Sequence, residues 1–283
     1  MIGINMHGSL VTSLSDVEEL CSTFSQMGFD CVELSMEELG AIVNYAVNEH
    51  VIIRLRQMLS SFDLDRTLHC MLNPLDKHRN PTRLLRSVID LARSIEAKIL
   101  VMHAGETPIS NEGGSCLEAC KNDLASILRE LGAHSADSGI MLSIENADPR
   151  ANVVRFGERL ADLVDLIETF KLENVGITLD TGHLYLSAKF RNFDFLSAAS
   201  DAEHLVNHLH LNDNFGNTDG SGSADLRLGQ GDLHLPLEWG SAPVRDLLKT
   251  FKEKYSGIYL LDLHPRFISF FPDALKVVQE MLS

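Results

Sequence analysis

The residues of this chain best suited to chemistry stand at the ends of short apolar runs. The clearest case is Val175–Leu186, VGITLDTGHLYL. Val175, Ile177 and Leu179 alternate with small or polar residues, which is a strand's period. The run then meets Asp180, Thr181, Gly182 and His183. A carboxylate at the end of a buried strand and an imidazole three residues later, across a Gly-containing turn, can converge on one point. Asp and His are both metal ligands, and both move protons. The plainer reading is an Asp that caps the next helix beside a hydrogen-bonded His.

Other runs end the same way. His69 closes RTLH, His103 closes KILVMH, Glu145 closes GIMLSIE, His210 lies in HLVNHLHL and Asp262 in GIYLLDL. Each alone has an ordinary explanation in hydrogen bonding or capping. SIEN at 143–146 and LLDL at 260–263 place a carboxylate inside an apolar run, where an unpaired charge is costly. Asp, Glu and His together suit Zn²⁺ or Mn²⁺ better than Ca²⁺, which prefers oxygen ligands alone.

These residues need elements that bring strand ends together. Ile2–Met6, Asp30–Ser35, Arg66–Met71, Lys98–His103, Gly139–Glu145, Val175–Asp180, His204–Leu211 and Gly257–Leu263 read as strands. Between them, helices are expected over Ser15–Met27 (Ser15 as N-cap, Gly28 as stop), Met36–Phe62, Pro81–Glu96 and Cys116–Ser138. Further helices are expected over Gly157–Lys171, Phe193–Glu203, Ser241–Tyr255 and Pro272–Leu282. Strand–helix alternation with near-continuous apolar strands is the pattern of an α/β protein, a (β/α)8 barrel. No linker divides residues 1–283, so a single domain is expected. The long irregular stretch Asn212–Glu238 follows the seventh strand, and loops of that length in a compact domain are usually functional.

Bulk properties narrow the partners. The 283 residues carry 24 Lys and Arg against 40 Asp and Glu, a net charge of -16, which disfavours non-specific nucleic-acid binding. No apolar run approaches the ~20 residues of a membrane span. The start, MIGINMHGSL, has neither a charged nor an apolar leader region. Cys21, Cys31, Cys70, Cys116 and Cys120 are odd in number and scattered, and read as reduced thiols of a cytoplasmic protein. A homo-oligomer is compatible with all of this.

The ordered set of strand ends resembles the xylose isomerase-like TIM-barrel superfamily, which includes sugar isomerases and epimerases and apurinic endonuclease IV. The resemblance rests on LHC around His69, VMHAG around His103, SIEN around Glu145 and LDTGH over Asp180–His183. HLHLND around His210, LGQGD at 228–232 and LLD at 260–262 complete it. It covers nearly the whole chain and specifies the superfamily rather than one reaction.

By resemblance, a metal is held by Glu145, Asp180, His210 and Asp262. Endonuclease IV-like members add a second through His69 and His103, with the Glu bridging. They hold a third through the His of the DTGH motif and an Asp-x-His in the loop after strand seven. Here that loop reads Asp225-Leu226-Arg227, and Arg is no metal ligand. The third site is therefore expected to be absent, leaving one or two divalent ions. The strand-eight carboxylate is Asp262 where the family usually has Glu.

What the resemblance then implies is a metal-dependent isomerase or epimerase of a sugar or sugar-derived substrate. Glu145 and Asp262 would move the proton beside a metal-polarised carbonyl, with His183, Arg227 and His7 touching substrate. The runner-up is an endonuclease IV-like phosphodiesterase acting at abasic DNA sites. Glu33 and His208 are candidates to line or support the pocket, His264 is ambiguous, and Trp239 reads as a wall or core residue.

Overall fold

Within each strand, side chains two apart share a face, and this alternation builds two cores. A computed structural model describes residues 1–6, 8–108 and 114–283, with residues 114–117 in backbone alone. The barrel strands are Ile2–Asn5, Cys31–Ser35, Asp65–Cys70, Ile99–His103, Met141–Glu145, Val175–Asp180, Val206–Leu211 and Tyr259–Leu261. All pair in parallel with their sequence neighbours, and the first closes onto the eighth. This is the expected (β/α)8 barrel.

Outward-facing Ile4, Val32, Leu34, Leu68, Leu100, Met102, Ile144, Ile177, Leu179 and Leu209 are buried against the surrounding helices. A smaller cluster of Cys31, Ile99, Val101, Ile258 and Leu260 fills the inside of the barrel. Two residues further along the same inward faces come Glu33, His103 and Asp262. The barrel therefore begins apolar and ends polar, and the polar end is the carboxyl rim.

Helix α1, Leu14–Met27, buries Val17, Leu20, Cys21 and Phe24 on one stripe and ends where Gly28 adopts φ 95°. Its N-cap is Ser13 rather than Ser15, because Asp16 reaches back to accept from the N–H groups of Thr12 and Ser13 at 2.7 and 2.9 Å. The single helix expected over 36–62 is broken. A 3-10 turn, Met36–Glu38, precedes a small hairpin of Ile42–Val43 and Ala46–Val47, and only Glu49–Leu59 forms helix α2. Asn44 and Tyr45 take left-handed φ values of 50° and 61° at the hairpin tip, and Asn48 caps α2 by accepting from the N–H of His50.

Helices α3 (Pro81–Ser94), α4 (Gly114–Asp137) and α5 (Leu160–Phe170) follow the expected order. The sixth strand runs straight into α6, Thr181–Arg191, so Asp180–His183 is a helix start and not a turn. Helices α7 (Phe195–Ala202), α8 (Val244–Phe251) and α9 (Phe271–Leu282) complete the outer ring. No helix among the described residues is long and apolar enough to cross a membrane. Cys21, Cys31 and Cys70 are buried free thiols and Cys120 is half-buried, while the Cys116 side chain lies outside the described residues.

Candidate metal centre

Parallel strands put their carboxyl ends on one rim, and register decides which ends meet. His103 pairs in register with Glu145, and Asp180 with His210. Four groups of ligand-type side chains lie among the described residues, each with its candidate donor atoms within 4.8 Å of one another: Glu145, Asp180, His210 and Asp262; His69, His103 and Glu145; His183, Asp232 and His234; and, behind the first, Glu33, His208 and His210.

Glu145 joins the first two groups. Its Oε2 lies 3.0 Å from His69 Nε2 and 3.7 Å from His103 Nε2, while Oε1 lies 3.1 Å from His210 Nδ1. Burial opposes its charge, yet the His210 and His103 imidazoles hold the carboxyl well below the ordinary range. His103 is pushed down to about 3, by burial first and then by the cations beside it, Arg155 among them.

Asp180 reconciles its two readings. Its Oδ1 accepts the His183 N–H at 2.6 Å, which caps α6, and its Oδ2 accepts from Asn212 Nδ2 at 2.6 Å. One carboxylate oxygen of Asp180 still belongs to the first group. Burial pushes this carboxyl up to about 6, the His183 imidazole opposing and the Glu145 charge adding to the rise.

Behind the first group, Glu33 holds His210. Its Oε1 is 3.1 Å from His210 Nε2, and its Oε2 accepts from Thr67 Oγ1 at 2.8 Å and lies 3.3 Å from His208 Nε2. The Nε2 side of His210 thus faces a carboxylate and its Nδ1 faces the rim. A carboxylate behind a ligating imidazole fixes tautomer and orientation. His208 supports the site from the next inward position down the strand.

The third group gives the sharpest test of whether a cation fits. His183 Nδ1 lies 2.9 Å from the Asn146 carbonyl and His234 Nδ1 lies 2.9 Å from the Asp262 carbonyl. Carbonyls only accept, so both Nδ1 atoms donate. The two Nε2 atoms then converge on one carboxylate oxygen, Asp232 Oδ2, at 3.1 and 2.8 Å. Burial opposes their charge, yet Asp180 and Asp232 around His183, and Asp232 and Asp262 around His234, hold both imidazoles well above the ordinary range, so each Nε2–H donates to Asp232. A divalent ion would displace those protons and take the Nε2 lone pairs. Asp232 Oδ1 is buried without a hydrogen-bond partner. The donor set fits a divalent ion, as does the concentration of buried Glu145, Asp180 and Asp262 carboxylates in the first group.

The groups open into one cavity of about 380 Å³, which Gly8, Ser9, Asp148, Arg150 and Arg155 also line. Asp262 reaches the rim despite its short side chain. Its Oδ1 accepts from Asn5 Nδ2, and its Oδ2 stands 3.3 Å from His234 Nδ1 and 3.6 Å from His210 Nδ1.

Arg227 does not reach this cavity. Its side chain is 87% exposed and pairs with Asp225 at 2.7 Å, so its expected substrate contact is corrected to a solvent-facing ion pair. With it falls the expectation of a broken third group: the Asp-x-His beside His183 is Asp232-Leu233-His234, not Asp225-Leu226-Arg227. A signal was present in the sequence. Leu233, Leu235 and Leu237 are buried at alternate positions, which turns Asp232 and His234 to the other side. Asp148, Arg150 and Arg155 carried no comparable signal. His7 lies outside the described residues. His264 caps the 3-10 turn Pro265–Phe270, and Trp239 is 44% exposed, packed edge-on against Phe267 and Phe270.

An uncharacterized protein of Methanocaldococcus jannaschii is 28% identical over 204 residues, 70% of this chain and 72% of that one. Among solved structures, a D-tagatose 3-epimerase-like protein superposes with a TM-score of 0.74 at 18% identity, covering 100% of this chain and 99% of its own. The probable 3-DHS dehydratase of Bacillus anthracis gives a TM-score of 0.72 at 13% identity, covering 98% of each chain. At such identities the likeness is one of fold, and the two names show that the fold carries different reactions. The family described as xylose isomerase-like TIM barrel matches residues 22–281, and this chain belongs to it.

Proposed function

We propose that this protein is a divalent-metal-dependent phosphoester hydrolase, which takes up the runner-up reading of the sequence over the isomerase or epimerase that the resemblance implies first. The observation that carries it is the third group, His183, Asp232 and His234, beside two groups that share Glu145. Moving a proton next to a sugar carbonyl needs the first group alone. Under that reading the half-buried His69, His103, Asp232 and His234 of the cavity wall would serve as substrate contacts; under hydrolysis each would hold a metal. Zn²⁺ or Mn²⁺ held by these residues would polarise a phosphoryl oxygen and make a bound water a nucleophile near neutral pH.

The chain's own residues prepare that setting. Glu145 divides its two oxygens between His69 and His210, so it draws both groups toward one point. The Asn146 and Asp262 carbonyls hold His183 and His234 with Nε2 presented, and Glu33 does the same for His210 Nδ1. Arg150 and Arg155 are the only Lys or Arg side chains among the described residues lining the cavity. With a net charge of -16, a compact phosphoester suits the site better than a long nucleic acid.

A second reading, a sugar isomerase or epimerase, is favoured by the completeness of the first group and by Glu145 and Asp262 standing together in it. It agrees with the name of the D-tagatose 3-epimerase-like neighbour. Metal-replete protein assayed on bis(p-nitrophenyl) phosphate, an abasic oligonucleotide and a panel of keto-sugars separates the two. Hydrolysis that is lost in Asp232→Asn supports the first. Keto-sugar turnover that survives Asp232→Asn, with no ester cleaved, overturns it in favour of the second.

A further inference from the structure

One part of the cavity wall has no role in holding a metal. The loop after the fifth strand carries Asp148, Arg150 and Arg155 into the cavity. Asp148 is buried and sits between the two guanidinium groups: Arg150 Nε donates to its Oδ2 at 2.9 Å, and Arg155 Nη1 donates to its Oδ1. Arg155 Nε also lies 3.2 Å from Glu106 Oε2. Among the described residues, Arg150 Nη1 and Nη2 and Arg155 Nη2 have no hydrogen-bond partner.

The loop is fastened rather than loose. The Arg150 N–H donates to Glu158 Oε1 at 3.1 Å, and Glu158 is itself gripped by Arg191. The Ala151 N–H donates to the Gly220 carbonyl at 2.8 Å, docking this loop against the long one after strand seven. Gly222, at φ 80°, passes so close that a Cβ there would overlap the Arg150 guanidinium. Arg155, only 12% exposed, stands near enough for its charge to be felt at His103. A buried carboxylate that holds two guanidinium groups by one edge each, with terminal nitrogens left over, is a preorganised oxyanion receptor.

We propose that Arg150 and Arg155, set by Asp148, bind a second anionic group of the substrate, a phosphate or a carboxylate, away from the reacting end. This rests on the reading of the metal groups as the reacting end, and it narrows the substrate class to small molecules with two anionic groups. Each group then has its own receptor, the metal centre for one and the guanidinium pair for the other, and the span between them selects for length.

The test is calorimetric titration of metal-replete protein with ethylphosphonate, with α,ω-bisphosphonates of three to six carbons, and with phosphonoalkanoates of the same lengths. Retention of metal is checked after each titration. At least one two-anion ligand is expected to bind roughly tenfold or more tighter than ethylphosphonate, as linking two sites requires. That advantage is lost in Arg150→Gln and in the double variant with Arg155→Gln, and Arg150→Lys recovers only part of it. Comparing the two ligand series tells phosphate from carboxylate. If no two-anion ligand gains affinity, or if the gain survives the double variant, the proposal is overturned. Should the Arg155 variant fail to fold, as its circular dichroism would reveal, the more exposed Arg150→Gln decides alone. Binding is read without turnover, so a protein that hydrolyses no ester still shows or lacks the two-anion advantage, and failure of the hydrolase reading remains distinguishable.

Discussion

His183 Nε2 lies 3.1 Å from Asp232 Oδ2, joining the first turn of α6 to the long loop after strand seven. The contact completes a third ligand group that a reading of Asp225-Leu226-Arg227 would have ruled out. It changes both the expected number of metal ions and the preferred reaction.

Elemental analysis of protein loaded with Zn²⁺ or Mn²⁺ should therefore find up to three equivalents per chain, revising the one or two expected from sequence. Removing them with a chelator should lower the melting temperature, since a ligand at 100 times its Kd contributes about 2.7 kcal/mol. A chain that never holds more than one ion would refute the three-group reading.

Glu145→Ala should cause the largest single loss of bound metal, because its carboxylate adjoins both His69 and His210. Two groups lose a donor at once. Unchanged metal occupancy in this variant would remove Glu145 from its bridging position.

Glu33→Gln tests the support behind His210. The amide cannot accept at both oxygens, so the imidazole loses its anchor. Metal affinity, read by competition with a chromogenic chelator, should fall about 10–100-fold. An unaltered affinity would reduce Glu33 to a packing residue.

Arg227→Ala should leave metal content, melting temperature and turnover of whichever substrate is found within about twofold of the parent, as expected of a surface residue clear of any special feature. His234→Gln, only seven positions later, should lower ester hydrolysis at least about a hundredfold, in line with the 10–100-fold losses seen when only a supporting partner is removed. Equal effects of the two substitutions would contradict the placement of the loop.

Phe24→Ala reports on the fold rather than the site. Phe24 is fully buried on α1, with its ring centroid 6.0 Å from Phe29 and 6.1 Å from Phe271 of the last helix. Denaturant unfolding should show a loss of about 3–5 kcal/mol. A loss below about 1 kcal/mol, far under that range, would mean that the first and last helices do not share one core.

The barrel and much of the rim followed from the sequence because parallel strands impose few choices. Apolar runs that end in Glu145, Asp180, His103 or His210 must deliver those ends to the same side, whatever the helices between them do. Asp180 could be read either as a cap or as a ligand, and folding made it a cap that also stands among ligand-type side chains, since one carboxylate has oxygens enough for each. The helix expected over 36–62 failed for a local reason, the left-handed Asn44 and Tyr45, which no hydrophobic period reports.

The loop after strand seven was another matter. Two Asp-x-basic triplets lie there, seven residues apart, and spacing alone cannot choose between them. The tertiary path chose: the bridge of Asp213 with Leu235 draws Asp232 and His234 back to the rim, while the bridge of Asp225 with Gln230 turns Arg227 out to solvent. Sequence determined what strand ends must present, because the barrel's geometry is shared by every strand. Only the folded chain decided which loop residues meet them, because a loop's path is set by contacts it makes elsewhere.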